Sequence, residues 1–250
     1  MKTFYLPPEE WREPYALEGQ EAKHLVKVLR AREGDHIRLL DGRGREGTFR
    51  ITATEKQRVS LKLEALVEHP APSGSTVLAL GWAKSVRRGW LLEKAVELEA
   101  GGVWLWQADR SQSHVPEDIK ESWEGQMIAG AKQSVNPWLP ELRTLPEGVE
   151  GLVALASEFD RTLILWEGQS PSVLLSPPML GGNGRTLFVV GPEGGFSDRE
   201  VRVLTEGGFT PVSLGRRILR WETAALLCLG LDWWHRELNA SSAAENGGGQ

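Results

Sequence analysis

Two stretches of this chain carry the residue types that a bound ligand would need. Leu187 to Glu200 reads LFVVGPEGGFSDRE, in which four apolar residues run into a Pro/Gly-rich turn. Ser213 to Ala225 reads SLGRRILRWETAA, with Gly215 ahead of Arg216 and Arg217, then Arg220 and Glu222 at the head of an apolar run. Glycines at 191, 194 and 195 permit positive φ and let a ligand approach the backbone. A cation such as Arg220 or Arg217 can stabilise charge that develops on a reacting group. Glu222 could accept a proton, cap backbone amides at a helix start, or hold an arginine; all three readings stay open.

Two familiar uses of a glycine loop do not apply. A phosphate-cradling P-loop closes on Lys-Ser or Lys-Thr, whereas this loop ends in Phe196, Ser197 and Asp198. A dinucleotide fingerprint places three spaced glycines early in a βαβ unit, whereas this loop comes late and carries Pro192 and Glu193 at its centre. The elements that must position the loop are a buried strand over 187–190 and a helix beginning at Ser197, which with Glu200 makes a capping box. Open α/β sheets place ligands at such strand-to-helix turns. A plain connection would use the same residues, so the loop alone does not decide.

Composition narrows the classes. The 250 residues suffice for one large or two unequal domains, and 28 Gly with 14 Pro suit a loop-rich α/β chain. No apolar run reaches membrane-spanning length and no signal-like segment follows Phe4, so a cytoplasmic protein is expected. Cys228 stands alone within AALLCLGL, reads as a core thiol, and excludes an intrachain disulfide. The five histidines form no cluster with acids at ligand spacing, so no metal is expected. Net charge is −5, yet Ala22 to Lys62 holds eleven Lys or Arg against five Asp or Glu. A basic front segment on an acidic body can bind RNA without a basic pI, although solvated surface charge gives the same pattern.

The first seventy residues read as short strands, DHIRLLDG, GTFRITATE and QRVSLKLEALV, preceded by a short helix EAKHLVKVLR, and imply a small barrel. HPAPSGS is a linker. After it come alternating strands and helices, and hence a largely parallel sheet. The strands are TVLALGWAK, VWLWQ, LVALAS, RTLILW and TLFVV. The helices are VRRGWLLEKAVELEAGG, ended by Gly101 and Gly102, then Ile119 to Gln133, and a final one over Leu219 to Trp234. The polar tail SSAAENGGGQ is expected to be disordered. The division is thus 1–70 barrel, 71–75 linker, 76–236 α/β domain and 237–250 tail.

The pair GPEGGFSDRE and LGRRILRWETA, together with HLVKVLR, DGRGRE, EKAVEL and DRS in the same order, resembles the small-subunit ribosomal RNA uridine-N3 methyltransferase family of the trefoil-knotted SPOUT class. The resemblance spans roughly residues 3 to 230. It implies a PUA-like β-barrel RNA-binding domain joined to a knotted, dimerising α/β domain that uses S-adenosylmethionine to methylate N3 of a uridine in 16S RNA. Carried onto this chain, it implies that Leu155, Ala156, Val190, Gly191, Pro192, Glu193, Gly194, Gly195, Leu214, Gly215, Ile218 and Leu219 surround the cofactor. Arg220 then contacts the target base or its phosphate, with Arg217 and Arg216 as lesser candidates and Glu222 as a possible proton acceptor. RNA contact falls to Lys23, His24, Lys27, Arg30, Arg43 and Arg45 from the barrel, extended by Lys84, Arg87 and Arg88. Most of these are expected to be phosphate contacts.

The chain departs from the family's pattern in three places, one of them Leu105, where the family has a proline. Glu97-Leu98-Glu99-Ala100 stands where the family has Glu-Leu-Gly-Val. Lys132 and Asn136 replace an acid and an arginine of an Ala-x-Glu-Gln-Ser-x-Arg pattern. The departures leave room for two alternatives: a knotted methyltransferase with another RNA substrate, and a catalytically silent RNA-binding protein of the same fold.

Overall fold

The computed structural model describes residues 1–83, 87–168 and 173–247, with side chains through residue 242. Two compact units result. One is Met1–Ala71 together with Met127–Leu139, and the other is Pro72–Gln126 together with Pro140–Gln250. The break between Ala71 and Pro72 falls in the proline-containing linker, but the return of Met127–Leu139 to the first unit has no counterpart in the division expected from sequence.

The first unit contains β1 (Lys2–Tyr5), β2 (Ala16–Glu18), α1 (Gly19–Lys23), a π-helical turn His24–Val28, β3 (His36–Leu40), β4 (Arg45–Thr54) and β5 (Arg58–Glu68). The sheet order is β1-β3-β4-β5-β2. Alternation in β4 and β5 points Phe49, Ile51, Val59 and Leu61 into a core shared with Phe4, Leu17, Ala22 and Leu25. Register shifts between Thr48 and Phe49 and between Ile51 and Ala53 bend the long β4–β5 ribbon, as β-bulges do. The edge strands β1 and β2 do not pair with one another, so the expected barrel is open along that seam, with Ala22 and Leu25 filling the core from α1 and its continuation. The loop from β3 to β4 is tied by Asp41, wholly buried, which accepts from the Arg43 and Arg45 amides and pairs with the Arg45 guanidinium at 2.6 Å. Within this unit Lys132 pairs with Glu21 at 2.6 Å. The lysine that replaces an acid therefore has an acid of its own.

The second unit carries β6 (Ser75–Gly81), α2 (Arg88–Glu97), β7 (Gly102–Trp106), the start of α3 (Glu121–Ser134), β8 (Glu141–Leu145), α4 (Val149–Ala154), β9 (Arg161–Leu165), β10 (Val173–Leu174), β11 (Arg185–Val190), α5 (Asp198–Glu206), β12 (Thr210–Ser213) and α6 (Trp221–Gly247). Its seven strands are all parallel in the order β10-β12-β9-β11-β6-β7-β8. A parallel sheet needs apolar cover on both faces, which explains why β6, β7 and β11 read as nearly continuous apolar runs. Trp104, Trp106, Leu187 and Val189 sit in the core with Leu152, Leu204 and Phe209 from the covering segments.

Three local expectations are corrected. LVALAS is not a strand: α4 ends at Ala154 and a 3-10 turn spans Ala156–Glu158. Short apolar runs fit a buried helix as well as a strand. The last helix runs on through Gly247, because SSAAEN contains no helix breaker, so the expected disordered tail is helical over 237–247. And α2 ends before the glycines: Glu99 has φ 55°, its amide bonds to Val96 O, and the Ala100 amide reaches back to Ala95 O. That is a Schellman cap with a glutamate in the position glycine favours.

Burial raises the Glu99 carboxyl pKa above the ordinary carboxylate range, Glu237 adds to this, and Arg236 opposes it. A raised carboxyl weakens the fold as pH climbs through and above that range. Replacing Glu99 with glycine relieves both the left-handed backbone strain, about 1 kcal/mol, and the desolvated charge. E99G is expected to raise Tm at pH 7, with a smaller gain at pH 4, as thermal melts at the two pH values would show.

Candidate functional site

In the second unit the chain proceeds from β6 outward to β8, then returns to the other side of β6 for β9, β11 and β12. Such a reversal opens a crevice at the C-terminal ends of the strands. Here it holds a cavity of about 880 Å³ lined by three loops: Leu165 to Gly168 after β9, Val190 to Phe196 after β11, and Val212 to Glu222 after β12. The volume is in the range of small-molecule sites. The loop after β9 continues through Glu167 and Gly168 to Gln169 and Ser170, of which the last two lie outside the described residues.

The glycine loop is held from several directions. Gly195 N–H donates to Pro192 O at 2.8 Å, closing the turn, and Gly195 takes φ 70°. Ser197 and Glu200 form the expected capping box at the head of α5. The buried Glu200 also accepts the Asp109 amide at 2.7 Å, Ser197 Oγ bonds to Asp109 Oδ2 at 2.6 Å, and Arg110 Nη1 donates to Gly194 O at 2.9 Å. The DRS segment thus clasps the loop from outside. Beneath it Phe196 stacks on Trp106 with centroids 5.8 Å apart, and Trp106 Nε1 donates to Val190 O. The third loop turns where the Ser213 hydroxyl accepts the Gly215 amide at 3.1 Å, with Gly215 at φ 121°.

Of the residues expected around a cofactor, Val190, Gly191, Pro192, Glu193, Gly195, Leu214, Ile218 and Leu219 line the cavity, while Gly194 and Gly215 belong to the same loops. Leu155 and Ala156 do not line it: as the end of α4 and the following 3-10 turn they pack against the core. Leu165, Trp166, Glu167 and Gly168 line it instead, from the end of β9 and the loop that follows it. Arg220 and Glu222 line the cavity; Arg216 and Arg217 are exposed beside it.

Glu222 is 5% exposed in the first turn of α6 and pairs with Arg87, Nη1 to Oε1 at 2.6 Å. Arg87, expected to touch RNA phosphate, is therefore a pocket residue. Arg88 is also engaged internally: its guanidinium lies 4.0 Å from the Trp82 ring centroid and 5.3 Å from that of Trp123, and donates to Ala83 O. Burial lowers its pKa from the usual arginine value. Lys84 lies outside the described residues.

In the first unit Lys23, His24, Lys27, Arg30 and Arg43 are exposed, with Arg30 at φ 52° closing the π-helical turn. Arg45 is committed to Asp41 and to the Trp11 ring, 5.1 Å from its centroid. Lys132 and Asn136 do not line the cavity. Among the described residues no group of His, Cys, Asp and Glu could hold a metal, and no helix is long and apolar enough to cross a membrane.

Comparison with known proteins gives this geometry its relatives. The RNA methyltransferase domain family matches residues 69–232, and the RNA methyltransferase PUA domain matches 17–64. Ribosomal RNA small subunit methyltransferase E of Bacillus subtilis is 29% identical over 234 residues, 90% of this chain and 91% of that protein. The crystal structure of a probable rRNA-methyltransferase from Porphyromonas gingivalis superposes with a TM-score of 0.81 at 28% identity, over 94% of this chain and 98% of that one. That of the Neisseria gonorrhoeae ribosomal RNA small subunit methyltransferase E, bound to S-adenosylmethionine, gives 0.73 at 27% identity over 92% and 96%. The chain belongs to the RNA methyltransferase family, with the SPOUT-type ribosomal RNA methyltransferases E as its kin.

Proposed function

We propose that this protein transfers the methyl group of S-adenosylmethionine to N3 of a uridine in 16S ribosomal RNA of the small subunit, in the cytoplasm. The observation that carries the reading is the cavity in which the Gly191–Gly195 loop and the Leu214–Leu219 loop face one another. The residues present suit this cofactor. Leu165, Trp166, Leu214, Leu219 and Trp221 supply apolar wall for adenine, and the glycine loop supplies backbone groups that a side chain would otherwise screen. When bound, the cofactor supplies an already activated methyl group. What the protein adds is alignment of donor and acceptor and stabilisation of charge on the uracil.

The exposed cations Lys23, Lys27, Arg30 and Arg43 suit sequence-independent phosphate contact, and the target base leaves its stack to reach the cavity. The knot is part of the same proposal: the convergence of the loops after β9, β11 and β12 on one cavity supports threading of the chain there.

A homodimer is supported by α6, on which Leu227, Leu231, Trp234 and Leu238 are 40%, 38%, 56% and 48% exposed. Their spacing of four, three and four residues puts them on one helical stripe, an apolar surface of the kind isologous interfaces cover. The double variant L231E/W234E is expected to weaken association by about 100-fold or more, the scale of losing central anchors, and light scattering after gel filtration would register monomer mass.

The function itself is tested by nucleoside mass spectrometry of small-subunit RNA from cells with and without the gene. Loss of 3-methyluridine on deletion, restored by the purified protein with S-adenosylmethionine, is the expected result. Unchanged 3-methyluridine would favour another RNA substrate.

A further inference from the structure

The cavity contains five charged side chains: Arg87, Glu167, Glu193, Arg220 and Glu222. Glu167, Glu193 and Arg220 are exposed on its loops. Only the Arg87–Glu222 pair among them is joined by a short ion pair, and its carboxylate is almost wholly buried in the first turn of α6. That carboxylate therefore anchors the guanidinium of a cavity-lining arginine whose side chain is 51% exposed.

Resting on the methyltransferase reading above, we propose that Arg87 is the catalytic cation that stabilises the uracil imide, and that Glu222 is a positioning residue that acts through it. The N3 proton leaves to water and negative charge spreads onto O2 and O4. The N3 electron pair then forms the new N–CH₃ bond as the methyl–sulfur bond breaks with its pair remaining on sulfur, which leaves 3-methyluridine and the neutral thioether S-adenosylhomocysteine. A charge developing on uracil oxygens is best met by a donor already fixed in place, since such a donor reorganises least during reaction. A guanidinium has five N–H donors, enough to hold a carboxylate and also address a ligand. Arg220, exposed and outside any ion pair among the described residues, suits the flexible role of phosphate contact instead. Glu167 and Glu193 oppose charge on the base, so an anchored cation is needed all the more. Glu222, committed to Arg87, is not the proton acceptor.

The test compares wild type, R87A, R87K and R220A on small-subunit particles from a gene-deletion strain, at saturating S-adenosylmethionine, across pH 6.5 to 9.5. R87A is expected to lose about 100-fold or more in kcat near neutral pH, the scale of removing one preorganised donor. It should recover steeply as alkaline pH ionises the base, and R87K should recover part of the loss. Particles carrying 5-fluorouridine, whose N3–H is more acidic, should rescue R87A far more than they accelerate wild type. R220A should raise KM and flatten its salt dependence by about one counterion, with the pH profile unmoved. An R87A loss confined to KM, or one that neither alkali nor 5-fluorouridine repairs, would overturn the assignment. Wild type inactive on both particles would instead remove the underlying methyltransferase reading.

Discussion

Replacing Gly81 with alanine is expected to weaken S-adenosylmethionine binding by about 100-fold or more while leaving the two sheets folded. Gly81 closes β6, next to the strand that feeds the glycine loop. A Cβ at this position would lie 2.5 Å from both the nitrogen and Cδ of Pro192 and 2.9 Å from the Gly191 carbonyl carbon. Neither contact is with a flexible side chain, so the loop backbone must shift. Displacements near 1 Å at a site of this kind cost about two orders of magnitude. Calorimetric titration with S-adenosylmethionine measures the loss, and G125A provides the control. Gly125 lies within α3, and a Cβ added there would meet nothing within 4 Å, so alanine is expected to leave binding unchanged and to stabilise the helix by up to about 1 kcal/mol.

The largest loss of stability is expected at Asp232. This side chain is 1% exposed on α6 and accepts hydrogen bonds from the Thr76 hydroxyl at the start of β6 and from the Gly181 amide at 2.5 Å. Arg236 Nη1 lies 3.1 Å from the carboxylate and 3.0 Å from the Thr76 hydroxyl. D232A leaves a mostly buried guanidinium without its counterion and two donors without their acceptor. Breaking a buried pair in this way costs about 3–5 kcal/mol, which for a protein of this size lowers Tm by roughly 6–20 °C. T76V removes one hydroxyl and no charge, and its cost should stay near 1 kcal/mol. Calorimetric melts of the two variants separate the ion pair from the hydroxyl. A D232A loss no larger than that of T76V would show the pair to be energetically idle.

The parts legible in the sequence were those governed by local chemistry. Ser197 and Glu200 announce their helix because a capping box is a contract between residues three apart, and the strands Gly102–Trp106, Arg161–Leu165 and Arg185–Val190 announce themselves by the apolar runs 103–106, 163–165 and 187–190. LVALAS did not, since its five consecutive apolar residues satisfy either period. Gly81 was unreadable for a different reason. Nothing beside it in the chain requires glycine, and the requirement comes from Pro192, more than a hundred positions away. Arg87 and Arg88 likewise looked like adjacent surface cations, and only the fold separates them, one to Glu222 and the other to a pair of tryptophans. Long-range partnership decides the use of a charged side chain, and composition cannot convey it.

The membership of Met127–Leu139 in the first unit has a consequence for synthesis. Gly44 donates to Pro137 O at 2.9 Å, the Leu139 amide donates to Gly42 O at 3.0 Å, and Gly42 and Gly44 pack against the side chains of Leu139 and Trp138. A growing chain that has just delivered residue 71 lacks those partners. At translation rates of about 5–20 residues per second, several seconds pass before they leave the ribosome, and by then β6, α2 and β7 are already present. The N-terminal unit is thus begun first, yet it cannot be finished until the chain has passed through the opening part of the second unit. A fragment cut at the linker would carry the 41–45 loop with the Trp138 and Leu139 face missing, and a transplanted N-terminal unit would have to bring that second segment with it.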